Sequence, residues 1–424
     1  MCIRDRSDAE LKSWPDTNVY FEHLDRGADS LDHVAERIDA IETAHGLPGN
    51  RAFYLAVPPS VFPRTIDRLG RAGLNESRGW TRLVIEKPFG TDLTSAHELN
   101  DLVHRWFSED QVYRIDHYLG KETVQNVLTF RFSNPMFEHL WNRDRVESVE
   151  ITVAEDLGIA GRAGYYESAG ALRDMVQNHL TQVLTLVAME PPVSFDAEQI
   201  RNEKVKVIEA IAPITPENVV FGQYETGSVA GEPVPAYRDE EGVNPESLTP
   251  TFVGLRLQID TWRWQGVPFY LRTGKRLPTQ LTQIAVTFLP PPLCIFHGAR
   301  DGCDMAPNVL LITLQPDEGF TLRFSVKAPG EPLTIESQEL RFSHDDVYGA
   351  LPDAYQALIQ DVIEGDQTLF VRSDEAEASW RLYDQLLDAE HEIHGYAAGT
   401  WGPAVRNGSL ALGGKAWTAN DPAP

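Results

Sequence analysis

The chain has 424 residues, 42% hydrophobic and 24% charged, the profile of an ordinary soluble globular protein long enough for two to three domains. No apolar run approaches the roughly 18 residues of a membrane span, and the opening "MCIRDRSDAE" lacks the apolar core of a secretion signal, so a cytoplasmic protein without a membrane partner is expected. Asp and Glu outnumber Lys and Arg by 63 to 37; the formal charge of −26 argues against a nucleic-acid binder and makes any local cluster of cations conspicuous.

In chain order, "LDHVAERIDAIETAHG" (31–46) has helical spacing and a glycine stop, "RAFYLAVPP" (51–59) is an apolar strand cut by prolines, and "VFPRTIDRLGRAG" is helical again. "TRLVIEKPFG" (81–90) is a second strand, "TDLTSAHELNDLVHRWF" (91–107) a helix capped by Thr91 or Asp92, and "QVYRID" (111–116) a third strand. Strands alternating with helices predict βαβ units and a mostly parallel sheet, with ligands beyond the carboxyl ends of its strands, where Pro58, Lys87 and His117 fall.

After residue 145 the pattern changes. "VESVEITVAED" reads as a strand and "GYYESAGALRDMVQNHLTQVLTLVAME" (164–190) as one long helix. From 252 onward strands recur with tight turns, which predicts a large, mainly antiparallel sheet with helices on one face from 164–210 and 351–388. The fold class expected is therefore α/β, an incomplete Rossmann-like parallel sheet, followed by an α+β domain. It is incomplete because no strand followed by a Gly-rich turn into a helix is found; "GLPGN" precedes a strand, and "RTGKR" lacks phosphate-loop spacing.

Chemistry-bearing residues cluster in few places. In "LRDMVQNHL", α-helical spacing puts His179 on the apolar stripe with Leu172, Met175, Val176 and Val183, while Asp174 and Asn178 share another face. On residue type alone a satisfied core histidine is the commoner case and a catalytic one the alternative. Lys87 ends a buried strand before a proline, Lys121 follows His117 by four residues, and "RTGKR" offers Arg272, Lys275 and Arg276; together these suggest an anion site of the phosphate type. Glu155 and Asp174 could accept from sugar hydroxyls. Cys2, Cys294 and Cys303 fit neither a disulfide framework nor a zinc site, and no metal-ligand spacing is found.

The segments "EKPFG", "RIDHYLGKE", "RDMVQNHL", "EKVKV", "GVPFYLRTGKRL" and "YAAGTWGP" occur in the order in which the glucose-6-phosphate dehydrogenase family carries them, and the chain resembles that family from about Asn50 onward. The resemblance implies oxidation of glucose 6-phosphate at C1 to the 6-phosphogluconolactone, the first step of the pentose phosphate pathway, with NADP as cofactor and NAD as an alternative. It implies His179 as general base and Asp116 as its orienting acid. His117, Tyr118 and Lys121 would bind the phosphate, Glu155, Asp174 and Lys275 the rest of the substrate, Lys87 both substrate and cofactor, and Pro58 and Phe62 the cofactor. "RIDHYLGKE" becomes the seam between a partial dinucleotide-binding domain, 1–115, and a substrate-binding and dimerisation domain, 116–424, in a homodimer or homotetramer.

Two departures qualify the resemblance. Gln280 stands where a second basic residue is common, so either a weaker grip on phosphate or compensation by Arg276 is expected. The "GxxGDL"-type turn is missing and Met1 to Arg6 fits no family pattern, so an N-terminally truncated reading frame with impaired activity is expected. The rival readings are a non-catalytic sugar-phosphate-binding or subunit-assembly module and, less favoured, a cofactor-free isomerase.

Overall fold

The computed structural model describes residues 18–23, 30–293, 295–296, 306–331, 333–349, 353–387, 389, 391–404 and 417–418. Met1 to Arg6 and all three cysteines lie outside these. None of the described helices is long and apolar enough to cross a membrane.

The first sheet contains β1 (Arg51–Leu55), β2 (Thr81–Ile85) and β3 (Val112–Ile115), all parallel. The residues just past the carboxyl ends of these strands, Pro59 after β1, Glu86 to Pro88 after β2 and His117 after β3, line the site. The helices between them are fixed by local chemistry. The helix Asp32–His45 ends where Gly46 takes φ 62°, and the helix Leu93–Trp106 starts at Asp92, whose carboxylate accepts from the Ser95 N–H while the Ser95 hydroxyl accepts from the Asp92 N–H.

A fourth strand, β14 (Phe370–Val371), closes this sheet by pairing antiparallel with β3. The helix Ala354–Glu364 precedes it, and its Leu358 and Val362 pack with Phe370 against Val84, Tyr113 and Ile115. This differs from the expected placement of 351–388 on the large sheet. Leu358 is fully buried against the far face of the first sheet, which the helices between β1 and β3 leave uncovered. Only the helix Ser373–Leu387 turns toward the second domain, where it packs on the helix Ala197–Glu209.

The second sheet has nine strands in the order β13 (Ile335–Ser343), β12 (Gly319–Lys327), β11 (Val309–Gln315), β10 (Leu281–Phe288), β4, β9, β8 (Phe252–Gln258), β5, β15, while β6 (Gly227–Val229) and β7 (Glu232–Val234) pair apart from it. It is mainly antiparallel, with parallel pairs at β4 (Val146–Ala154) with β9 (Pro268–Gly274) and at β5 (Val219–Glu225) with β15 (Ile393–Ala397). The β4–β9 pair is central: register sets Ala154 beside Gly274, so Glu155 and Lys275 leave the sheet together. The main core lies between this sheet and the helical layer. Trp141 and Trp264 are fully buried there, each satisfying its indole N–H on a helix-end carbonyl, Val187 O and Ala188 O, at 2.8 Å.

The segment expected as one helix over 164–190 is three pieces. A helix Ala163–Ala171 breaks at Gly170 (φ 58°, ψ 177°), a π-helix spans Leu172–Leu180, and an α-helix continues over Thr181–Ala188. Gly170 is the residue that allows the break, since its φ is one that side chains disfavour.

Phe370 is fully buried and meets Tyr113 edge to face at 4.8 Å between ring centroids. Phe370→Ala is expected to lower the unfolding free energy by about 3–5 kcal/mol in urea titration; a loss below about 1 kcal/mol would show that the returning strand contributes little to the first sheet.

Candidate functional site

A cavity of about 430 Å³ lies where the carboxyl ends of β2 and β3 meet the π-helix and the ends of β4 and β9. Of the residues singled out in the sequence, Lys87, His117, Tyr118, Glu155, Asp174, His179 and Lys275 line it. They come from five separated stretches of chain, so the fold brings together what the sequence scatters.

His179 is almost completely buried, with its ring stacked on Tyr118 at 4.3 Å and edge-on to His117 at 4.6 Å. Its Nδ1 lies 2.5 Å from Asp116 Oδ1, and its Nε2 lies 2.8 Å from Lys87 Nζ. This network assigns the tautomer: Nδ1–H donates to Asp116, and Nε2, unprotonated, accepts from the ammonium. Asp116 stands behind the cavity and also accepts from the Tyr118 N–H at 3.0 Å. His179 is thus a buried histidine satisfied at both ring nitrogens, by Asp116 at Nδ1 and by Lys87 at Nε2, on the wall of the cavity.

Asp174 does not lie on another face from His179. At 3.6 residues per turn, positions five apart diverge by about 140°; i→i+5 bonding brings them into line, and the Thr181 N–H donates to Val176 O in that pattern. Lys87 Nζ accordingly donates to Asp174 O at 3.0 Å and to Asp174 Oδ1 at 3.3 Å as well as to His179. Asp174 also accepts from the Tyr165 hydroxyl at 3.1 Å. On the opposite wall Lys275, buried, donates to Glu155 Oε2 at 2.7 Å.

Electrostatics follow from this packing. Burial holds the His179 pKa below the ordinary histidine value, Asp116 opposing and Lys87 reinforcing the shift, so the ring is neutral near pH 7. Burial raises Asp116, but the charge and hydrogen bond of His179 outweigh it and bring the carboxyl down to about 2. Burial likewise raises Asp174, yet Lys87, Lys275 and His179 hold it below the usual carboxylate range. His117 is pushed down to about 4, mainly by burial and then by His179.

Several candidates lie elsewhere. Lys121 does not line the cavity: its ammonium donates to Gln315 Oε1 at 2.8 Å and stands 4.2 Å over the Tyr118 ring. Gln280 is exposed and outside the lining, and Arg276 is turned away, 3.5 Å from Glu240. Arg162, Tyr165 and Glu86 line the cavity and were missed. For Arg162 a signal existed: "GRAG" just after the strand of Glu155 sets a cation at the start of the helix that leads to Asp174.

Spacing also hid the approach of Asp116, His117 and His179, whose ligating atoms lie within 4.8 Å of one another. The arrangement suits a metal poorly. Asp116 is engaged with Nδ1–H, and the Lys87 ammonium already stands where a cation on Nε2 would sit.

A second cavity of about 660 Å³ adjoins the first, and Pro59 and Pro88 belong to the walls of both. Phe62, Gly90, Thr91 and Arg105 line it too; Pro58 is exposed and does not. Its near end lies past the carboxyl ends of parallel β1 and β2, where open α/β sheets bind ligands, and from there it runs along the helix Leu93–Trp106 to Arg105, with the shared prolines between the two cavities. Among the described residues no Gly-rich turn supplies a pyrophosphate cradle.

The folded pKa values of His117 and His179 lie below the ordinary 6.5, so the unfolded chain binds more protons in that range and stability falls as pH drops. For His117 the loss runs between about 6.5 and 4. The urea midpoint is expected to fall over this window, and His117→Asn to flatten the slope; an unchanged slope would remove His117 as a source.

Two family models match the chain. The family model described as "Glucose-6-phosphate dehydrogenase, NAD binding domain" matches residues 4–126, and "Glucose-6-phosphate dehydrogenase, C-terminal domain" matches 128–418. The chain is 44% identical over 412 residues to glucose-6-phosphate 1-dehydrogenase of Aggregatibacter actinomycetemcomitans, covering 95% of this chain and 82% of that one. It is 45% identical over 399 residues to glucose-6-phosphate 1-dehydrogenase 2 of Mycobacterium bovis, covering 92% and 77%. A solved glucose-6-phosphate dehydrogenase in complex with its substrate glucose-6-phosphate superposes with a TM-score of 0.86 at 37% identity, covering 93% of this chain and 82% of that one. The chain belongs to the glucose-6-phosphate dehydrogenase family.

Proposed function

We propose that the chain oxidises glucose 6-phosphate at C1 to the 6-phosphogluconolactone, with hydride transfer to NADP, and that His179 is the base. The observation carrying this is the buried pair His179–Asp116, whose Nε2, held by the Lys87 ammonium, borders a sugar-sized cavity beside a second cavity fit for a nicotinamide.

The C1 hydroxyl takes the place that the Lys87 ammonium holds at Nε2, and its proton passes to His179 as the C1–H bond breaks. Asp116 accepts from Nδ1–H throughout and stabilises the imidazolium that forms. Burial, reinforced by Lys87, disfavours that imidazolium beforehand, keeping the base neutral until substrate displaces the ammonium. NADP, when bound, accepts the hydride. Glu155, Asp174 and Lys275 orient the ring through hydroxyl contacts, and His117 and Tyr118 lie on the wall suited to the phosphate. For Lys121 the same role requires release of Gln315. Pro58 and Phe62 would serve the cofactor, Phe62 directly from its cavity wall and Pro58 through the turn to Pro59.

We further propose that the functional division falls at residues 1–115 and 116–424, with 354–371 returning to the first domain. A homodimer or homotetramer in the cytoplasm is the setting; the mostly exposed outer strand β13 (Ile335–Ser343) of the large sheet offers the face for assembly, and a mass measurement tests it.

His179→Asn is expected to lower kcat for NADPH formation from glucose 6-phosphate by about 10²- to 10⁴-fold while sugar-phosphate binding persists. Asp116→Asn is expected to lower kcat as well, since an amide no longer fixes the Nδ1–H tautomer. Turnover by the His179 variant within threefold of the unaltered chain would refute the assignment. Retained sugar-phosphate binding with no turnover by the unaltered chain would favour the non-catalytic module.

A further inference from the structure

The five-residue loop Lys87–Thr91 divides the two cavities: Pro88 faces both, while Gly90 and Thr91 face only the second. Two of its backbone carbonyls are held by side chains from the second domain. Arg173 Nε donates to Thr91 O, and Trp380 Nε1 donates to Phe89 O, each at 2.8 Å. Immediately beyond the loop, the Leu93 N–H donates to Asp384 Oδ1 at 3.2 Å. Gly90, at φ 79°, is pressed against the start of the following helix, where a Cβ would come within 2.6 Å of Ala96 N. The loop therefore has little freedom of its own, and its position relative to the π-helix depends on these clamps.

Arg173 immediately precedes Asp174, which accepts from Lys87 through both its carbonyl and its carboxylate. Consecutive residues of the π-helix thus hold the two ends of the same loop, one at Lys87 and the other at Thr91. Neither Arg173 nor Trp380 lines the sugar cavity.

We propose that Arg173, assisted by Trp380, is a positioning residue for hydride transfer, fixing the Pro88 partition and with it the separation between sugar carbon and hydride acceptor. The proposal rests on the dehydrogenase reading above. Misplacement of about 1 Å at such a partition costs up to about 10²-fold in rate, without touching the groups that bind the sugar. The Arg173–Thr91 bond is solvent-exposed, so its loss falls on alignment and not on folding.

The test compares the full chain with Arg173→Ala, Arg173→Lys and Trp380→Phe, the last keeping an aromatic ring while deleting the indole donor. Arg173→Ala is expected to lower kcat about tenfold, leave the glucose 6-phosphate KM within twofold, and enlarge the primary isotope effect on kcat with C1-deuterated substrate. Arg173→Lys should recover part of the loss, and Trp380→Phe should move kcat in the same direction. Values of kcat within twofold of the unaltered chain for both Arg173→Ala and Trp380→Phe would overturn the proposal, as would a raised sugar-phosphate KM with kcat intact.

Amide hydrogen exchange reads the clamp independently of turnover. Faster exchange at Phe89 to Thr91 in Arg173→Ala, with β10–β12 unchanged, supports it, and unchanged exchange at the loop overturns it. A chain without turnover whose loop still loosens in Arg173→Ala would count against the dehydrogenase reading and leave the clamp standing.

Discussion

The ammonium of Lys87 donates to three acceptors from one short stretch of helix: the carbonyl of Asp174, its carboxylate, and Nε2 of His179. A lysine has three hydrogens to give, and all three are spent here. That single cation joins the carboxyl end of β2 in the first domain to the π-helix of the second. It also adds to the burial that keeps His179 neutral and holds the Asp174 carboxylate beside it. The convergence requires positions 174 and 179 to share a face, so the geometry of the site depends on the π-register of Leu172–Leu180.

The charge distribution shows why the site holds its cations in pairs. With a formal charge of −26, the field of the molecule repels an anionic substrate. Within the first cavity Lys87, Arg162 and Lys275 face Glu86, Glu155 and Asp174; half-buried Lys87 pairs with Asp174 and buried Lys275 with Glu155. Of the four groups in the two pairs, Asp174 is the one held below the usual carboxylate range, by Lys87, Lys275 and His179 against its burial. On the proposed reading, substrate hydroxyls and phosphate compete for groups that the pairing already holds in place.

How much of this could be read from the sequence varies with the physical signal. Strands ending in proline or glycine, the Asp92 cap and the Gly46 stop are encoded locally, and they came out within a few residues. The residues around the cavity were legible through motif order and not through spacing, since Asp116 and His179 are 63 positions apart. The π-register was not legible, because i→i+5 bonding has no propensity signature and the apolar stripe of "LRDMVQNHL" fits an α-helix equally well. Neither was β14: two residues have no periodicity, and Phe370 and Val371 form a strand only because β3 offers them an edge. Assigning helix Ala354–Glu364 to the wrong sheet had the same origin, since its apolar face does not state which surface it covers.

The closing strand carries a consequence for biosynthesis. Gln367 reaches back 255 positions to donate to Val112 O, and Phe370 and Val371 then complete the edge of β3. While the polypeptide is still on the ribosome, its first sheet has an open edge and an uncovered apolar face until most of the message has been read. Contacts so distant along the chain form slowly, and an open strand edge in the interval invites pairing with a neighbouring nascent chain. The amino-terminal half of the polypeptide therefore depends on the carboxyl-terminal third to finish its fold, and a stalled or prematurely terminated product would be a candidate for chaperone capture.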